Sequence, residues 1–440
     1  MILVGISLAM GYVFTLPVIP VIITHVLFLF AILHVIKSSD KNNEAFFWSA
    51  FFVSAEVFFR MSKALISYES IKYLVILLMM LGLFFGKRKK NISLLFLLYL
   101  ILLSIGIAFT DVPSDISIRQ VIAFNLSGPF VLGISGLYFY RSRIGIENIN
   151  KFLYISALPI ISMVSYLFFK TPNLTDIFES TGSNFEASGG FGPNQVASIL
   201  GFGIFVFAVS IIIKNRISGF LIIDIILLIY VIFRGFITFS RGGVIAAFVT
   251  LFIFSIFYFV SQKKMVYLSV KYLFIISFIL TGIWIYTSNI TNGMIVNRYT
   301  NKNKIGEKKE DITSGRSDIF KTELNYFLEN PIFGIGVGSG KYKRLEDGTD
   351  IEATTHNEIG RLLSEHGLIG LLILIFLITF PIFRLKKLDA FNNAFIFSFY
   401  IFWLLTINHS AMRIAFPGFI YGMSLLTFIQ LKPNENTIHR

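Results

Sequence analysis

Long apolar runs of about 14 to 22 residues follow one another along most of the chain, divided by short polar stretches. Coiled as α-helix, a run of that length crosses the roughly 30 Å hydrocarbon core of a bilayer. Of the 440 residues 55% are hydrophobic and only 14% charged. A water-soluble domain of that balance would expose large apolar patches and aggregate. The expected fold class is all-α, a polytopic transmembrane bundle of about 12–14 helices with one large extracytoplasmic loop containing short helices.

The runs predict helices near 2–16, 18–36, 45–62, 73–86, 92–110, 121–140, 151–169, 194–213, 219–239, 242–260, 267–287, 359–383, 394–410 and 413–431. Met1 leads straight into an apolar segment with no basic stretch or small-residue cleavage site, so no cleavable signal peptide is expected. Cysteine is absent, which excludes disulfides, thiol nucleophiles and cysteine metal sites. The net charge of +13 is read as basic cytoplasmic loops, and no nucleic-acid-binding module is present.

Alternate connections separate by charge. One set reads KRKK (87–90), RSR (141–143), KNR (214–216), QKK (262–264) and RLKK (384–387). The other holds DVPSD (111–115), the polar stretch 171–190 and one long loop, 288–358. Short Lys/Arg-rich loops stay in the cytoplasm, so the second set faces outward and both termini are expected inside. The chain thus divides into transmembrane helices 1–11 (1–287), the large extracytoplasmic loop (288–358), and C-terminal transmembrane helices with a cytoplasmic tail (359–440). Within the loop, Ile319, Phe320, Leu324, Phe327 and Leu328 fall at helical spacing. They predict an amphipathic helix on the membrane surface or over the bundle, or else a small core within the loop.

Three polar motifs stand at helix starts on the outward side: GGFGPNQVA (189–197) with Asn194, TFSRGGVIAA (238–247) with Arg241, and TTHNEIG (354–360). A helix N-terminus presents free N–H groups and partial positive charge, which favour an anion such as phosphate. Arg241 adds a guanidinium able to grip phosphate oxygens in a bidentate manner. Ordinary capping and a snorkelling arginine would account for any one of these starts alone; three on one surface point to an anion.

His356, Gly360, Leu363, Gly367 and Gly370 recur at intervals of four and three, and on a straight helix they form one stripe. Small residues on a stripe admit a close neighbour, so His356 is expected to top a tightly packed seam. Gly242 with Ala246, and Gly243 with Ala247, repeat the small-xxx-small pattern beneath Arg241. Of six histidines, only His356 and His409 fall at the outer boundary, and His356 is set apart by Asn357, Glu358 and the stripe. The glycine-rich GIGVGSG (334–340) lacks the strand–turn–helix context of a phosphate loop and reads as a flexible or tightly turning segment. Glu56 and Arg60, four apart, are expected to pair. Asp224 and Arg234 fall inside a predicted span and are functional candidates by default. No Asp-x-Asp or paired-His pattern lies outside the membrane, so neither a metal nor a cofactor is expected.

HNEIGRLLSEHGLIG (356–370) resembles the histidine motif of the O-antigen ligase and polymerase superfamily. SRGGVI resembles that family's outer-face arginine motif, with Ile245 where ligases often have Leu. SGRSDIF (314–320) resembles its second arginine motif, and NPIFGIGVG the segment that follows. The resemblance implies a C-type membrane glycosyltransferase of the inner membrane, acting outside on glycans linked to undecaprenyl pyrophosphate. By that resemblance Arg241 and Arg316 bind the donor pyrophosphate, with Arg298 a further candidate cation, and His356 is the catalytic base. Asn194, Asn357, Glu358, Gly360, Gly367 and Gly370 are the supporting residues. The implied partners are the lipid-linked oligosaccharide donor, a lipid-linked repeat unit or lipid A–core as acceptor, membrane lipids, and a chain-length regulator. GGFGPNQVASILG and SRGG look more like polymerases. A ligase, a protein-targeted oligosaccharyltransferase and, from another class, a polysaccharide flippase are the alternatives. A flippase would call for charged groups around a midplane cavity, whereas here the polar groups gather at one face.

Overall fold

The structure is a computed structural model. It describes residues 1–86, 92–171, 173–174, 177–178, 180–262, 265–309, 311, 313, 315–348, 355–385 and 388–429, without the side chains of 265–276 and 385. The KRKK stretch (87–90), Lys263, Lys264, Lys386, Lys387, Ser314 and Thr354 lie outside the described residues.

Each apolar run forms a helix: α1 (Ile2–Val13), α2 (Ile19–Ser38), α3 (Glu44–Met61), α4 (Ser70–Phe84), α5 (Leu94–Ile105), α6 (Ile118–Phe139), α7 (Glu147–Lys170), α8 (Pro193–Ile212), α9 (Leu221–Ile237), α10 (Arg241–Ser261) and α11 (Met265–Ile290). Then α12 (Met294–Tyr299), α13 (Arg316–Glu329) and α14 (Gly340–Glu346) occupy the long loop, before α15 (Glu358–Leu385), α16 (Ala390–Ile407) and α17 (Ala415–Met423). Seven of the described helices are long and apolar enough to cross a membrane. The protein is an all-α, multi-pass bundle.

Small residues let the central helices close up. A Cβ on Gly243 of α10 would stand 2.1 Å from the Ala197 carbonyl oxygen of α8, and one on Gly201 would stand 2.3 Å from that of Gly243. Gly243 of the small-xxx-small pattern therefore packs α10 closely on α8. At one end of the bundle, strand β1 (Arg143–Gly145) pairs in parallel with β2 (Thr427–Ile429). Arg384 donates to Thr427 Oγ1 (3.3 Å) and Asn392 to the Phe428 carbonyl (3.0 Å) at that same end. Two of the basic connections, after α6 and after α15, thus share one end with the end of the described chain.

The opposite end gathers the polar segments. Asn184 N–H donates to Thr238 O (2.9 Å), Thr181 Oγ1 to Lys302 O (3.0 Å), and Asp111 N–H to Ser339 Oγ (3.0 Å). Helix α13 packs on α15 through buried Ile319, Glu323 and Tyr326, while Leu328 is exposed. The amphipathic helix thus covers the bundle.

Two expectations need correction. The last run, predicted as 413–431, is helical only over α17, because the chain turns at Ser424 and extends into β2. The stripe on α15 is not one straight face. Gly367 breaks the helix with φ 60°, ψ −137°, a left-handed φ that favours glycine. A Cβ there would also lie 2.5 Å from the Pro331 carbonyl oxygen. Segment 334–340 fills the break: Ile335 N–H donates to Ser364 O (2.8 Å), Gly336 N–H to Glu365 O (3.2 Å), and Leu368 N–H to Pro331 O (2.7 Å). The glycine-rich stretch is a tight buried turn that satisfies helix carbonyls, not a phosphate loop.

Candidate active site

The starts of α8, α10 and α15 come together at the polar end. Ser240, just before α10, donates its hydroxyl to Asn194 Oδ1 on the first turn of α8 (2.8 Å). Phe239 turns with φ 57°, and its carbonyl receives Arg298 Nε (2.9 Å). Arg241, the first residue of α10, returns a bond from Nη1 to the Arg298 carbonyl (3.3 Å). Arg316 opens α13. Burial, then the charges of Arg241 and Arg316, lower the pKa of Arg298 to about 10. Burial and Arg241 lower that of Arg316 as well. Three half-buried guanidiniums that repel one another form a place where an anion is stabilised.

His356 sits just before α15. Asn357 caps that helix, its Oδ1 receiving the N–H groups of Ile359 (2.8 Å) and Gly360 (3.3 Å), which fixes where His356 leaves the chain. Burial, then the charges of Arg413, Arg316 and His409, lower the His356 pKa from 6.5 to about 4. Its imidazole is neutral at pH 7 and free to accept a proton. Arg316 thus pushes the value down, and Glu358, two residues after His356, is not among the charges that set it. Glu358 is instead buried in an ion pair with Arg361, which also holds Glu365 (2.7 Å), and it accepts Met412 N–H (3.2 Å).

The remaining glycines have separate tasks. Gly360 gives room to α13: a Cβ there would meet Glu323 Oε2 at 2.3 Å and the Phe320 ring at 2.9 Å. Gly370 lies under the kink, against the Leu362 carbonyl oxygen.

Sequence reasoning missed Arg413 and underrated His409. Arg413 donates to the Thr355 carbonyl (2.6 Å) and lies 4.5 Å over the Phe124 ring. His409 is buried against Gly242 and meets Ser198 Oγ (3.1 Å). Their spacing of four in INHSAMR was the available signal. Arg60 pairs with Glu56 as expected, and also reaches Gln195 Oε1 (3.2 Å) and the Arg413 carbonyl (3.4 Å). Asp224 caps Ile217 and Ser218 N–H groups, and Arg234 holds Thr171 and Ala187. Both charges are engaged in anchoring loops.

Residues 225–375 match the family model described as O-antigen ligase. The matched stretch runs from α9 into α15 and contains Arg241, Arg298, Arg316 and His356. This match over about a third of the chain supports the O-antigen polymerase and ligase superfamily. That family implies ligase or polymerase activity of the glycosyltransferase kind on lipid-linked glycans, within O-antigen and lipopolysaccharide biosynthesis. No curated protein matches the chain.

Proposed function

We propose that this protein is a surface-polysaccharide polymerase of the inner membrane. It moves a glycan from undecaprenyl pyrophosphate to a sugar hydroxyl of a lipid-linked repeat unit. The polar end faces the periplasm, carrying the 288–358 loop, and both termini are cytoplasmic. The observation that carries the reading is the neutral imidazole of His356 set beside the cluster of Arg241, Arg298 and Arg316.

The acceptor oxygen attacks the anomeric carbon as the bond from that carbon to the pyrophosphate oxygen breaks. The bonding electrons leave with the pyrophosphate, and the hydroxyl proton passes to the imidazole of His356. The arginines and the start of α10 stabilise the charge growing on the leaving group, so the step needs no metal. Attack opposite the leaving group inverts the anomeric centre. Polymerase is favoured over ligase because the two segments that look polymerase-like, around Asn194 and Ser240, are joined by a hydrogen bond at the site. A chain-length regulator is an expected partner.

The test supplies purified protein with one synthetic undecaprenyl-pyrophosphate repeat unit and no other acceptor. A product ladder supports the polymerase. Product only after lipid A–core is added makes it a ligase, and none with either favours a transporter.

A further inference from the structure

A cavity of about 1020 Å³ opens between the starts of α4 and α6 and the loop helices α13 and α14. It is as large as the biggest usual small-ligand sites, which span roughly 300–1,000 Å³. Tyr73 and Tyr342 contribute aromatic rings to its wall, and Gln120 and Asn125 amides. A pyranose has an apolar C–H face and a rim of hydroxyls, the two surfaces that aromatic rings and amides match.

Thr355 and Arg413, the chain neighbour of His356 and the cation weighing most on it, form part of the cavity wall. Arg241, Arg298 and Arg316 are not among its described lining residues. Buried Glu323 also lines it, with Oε1 bonded to the Thr355 hydroxyl and Oε2 without a hydrogen-bond partner among the described residues. Burial pushes this carboxyl up to about 7, so near neutral pH it can accept or donate a hydrogen bond to a sugar hydroxyl. Thr355 and Arg413 thus join the cavity to His356, on a wall that none of the three clustered arginines lines. An attack in line with the departing pyrophosphate has to come from the side away from those cations.

Building on the polymerase reading, we infer that this cavity is the acceptor subsite. It holds the terminal pyranose of the acceptor and directs its hydroxyl past Thr355 towards His356. The donor's glycan is chemically alike, so the two substrates must be varied apart. The assay uses a donor whose own terminal hydroxyls are methylated, with a fluorescent soluble glycoside of the repeat unit as acceptor.

Gln120→Ala and Tyr342→Ala alter side chains that reach solvent, so the core is spared. Each should raise the acceptor KM roughly tenfold while leaving kcat and the donor KM unchanged. Tyr342→Phe, which keeps the ring, should stay within about threefold of the parent. An unchanged acceptor KM overturns the inference, and so does a rise in the donor KM instead. Failure of the parent protein to elongate any acceptor refutes the polymerase reading itself, which separates the two.

Discussion

Arg413→Gln removes the charge that, after burial, weighs most on His356. The gap between 6.5 and about 4 corresponds to about 3 kcal/mol between the charged and neutral imidazole. Burial takes the largest share, and Arg413, Arg316 and His409 divide the rest, so losing Arg413 returns of the order of 1 kcal/mol. A His whose value lies below 6.5 stays a base until the pH falls through that lower value. In the parent protein, transfer should therefore persist down to about pH 4 and fall away below it. Arg413→Gln should move this acid limb up by roughly half to one pH unit. Arg413→Lys keeps the charge and should leave it in place. The assay is transfer in nanodiscs between pH 3.5 and 8, with donor well below its KM so that the rate reports the donor-free protein, and with rates normalised to folded protein. A parent limb near pH 6.5 would refute the buried-base argument. So would a limb that both substitutions move equally, since the effect would then be structural.

Arg241→Ala and Arg316→Ala should each slow transfer by roughly 10²-fold or more, with Lys restoring only part, because a point charge lacks the planar fork; full rescue by Lys would show that charge alone suffices. Turnover should survive EDTA, and a strict need for Mg²⁺ or Mn²⁺ would mean that the arginines are not the main electrophilic partners of the pyrophosphate. Gly367→Ala should cost about 1–3 kcal/mol of stability or more, from left-handed backbone and contact with Pro331, and an unchanged melting temperature in detergent would contradict the kink. The acid limb of kcat should lie above that of kcat/KM for the donor, because bound pyrophosphate neutralises Arg316 beside His356; coincident limbs would place the anion elsewhere.

The bundle was legible because a membrane span announces itself in one dimension, as apolar length. What escaped was set by contacts distant in sequence. The 413–431 run is apolar throughout, yet it yields a helix of nine residues, since Thr427–Ile429 pairs with a strand near residue 144 that no local pattern couples to it. Gly367 could be placed on a packing stripe from its spacing, but spacing cannot distinguish a glycine that makes room from one that bends left-handed. Asn357, Arg241 and Pro193 were readable because a helix start depends on a few adjacent residues. Arg413 was not, because its importance comes from crossing to the Thr355 carbonyl, 58 residues earlier in the chain.

The arrangement resolves a conflict in acid–base design. An imidazole buried among cations is held neutral, which keeps it ready, but the same field makes it a weak base. On its own, a group with a value near 4 is a poor match for a sugar hydroxyl. The donor changes that field. On the proposed function, a doubly charged pyrophosphate settling among Arg241, Arg298 and Arg316 would offset the repulsion that Arg316 exerts on His356, and the imidazole would gain basicity just as its substrate arrives. Departure of the pyrophosphate adds further negative charge, which also favours the imidazolium formed by the proton transfer. Only the complex then has the stronger base, so the polar end can stay open to water without activating a stray nucleophile before donor is bound. Arg316 would then have two connected tasks, holding the leaving group and reporting its presence to His356.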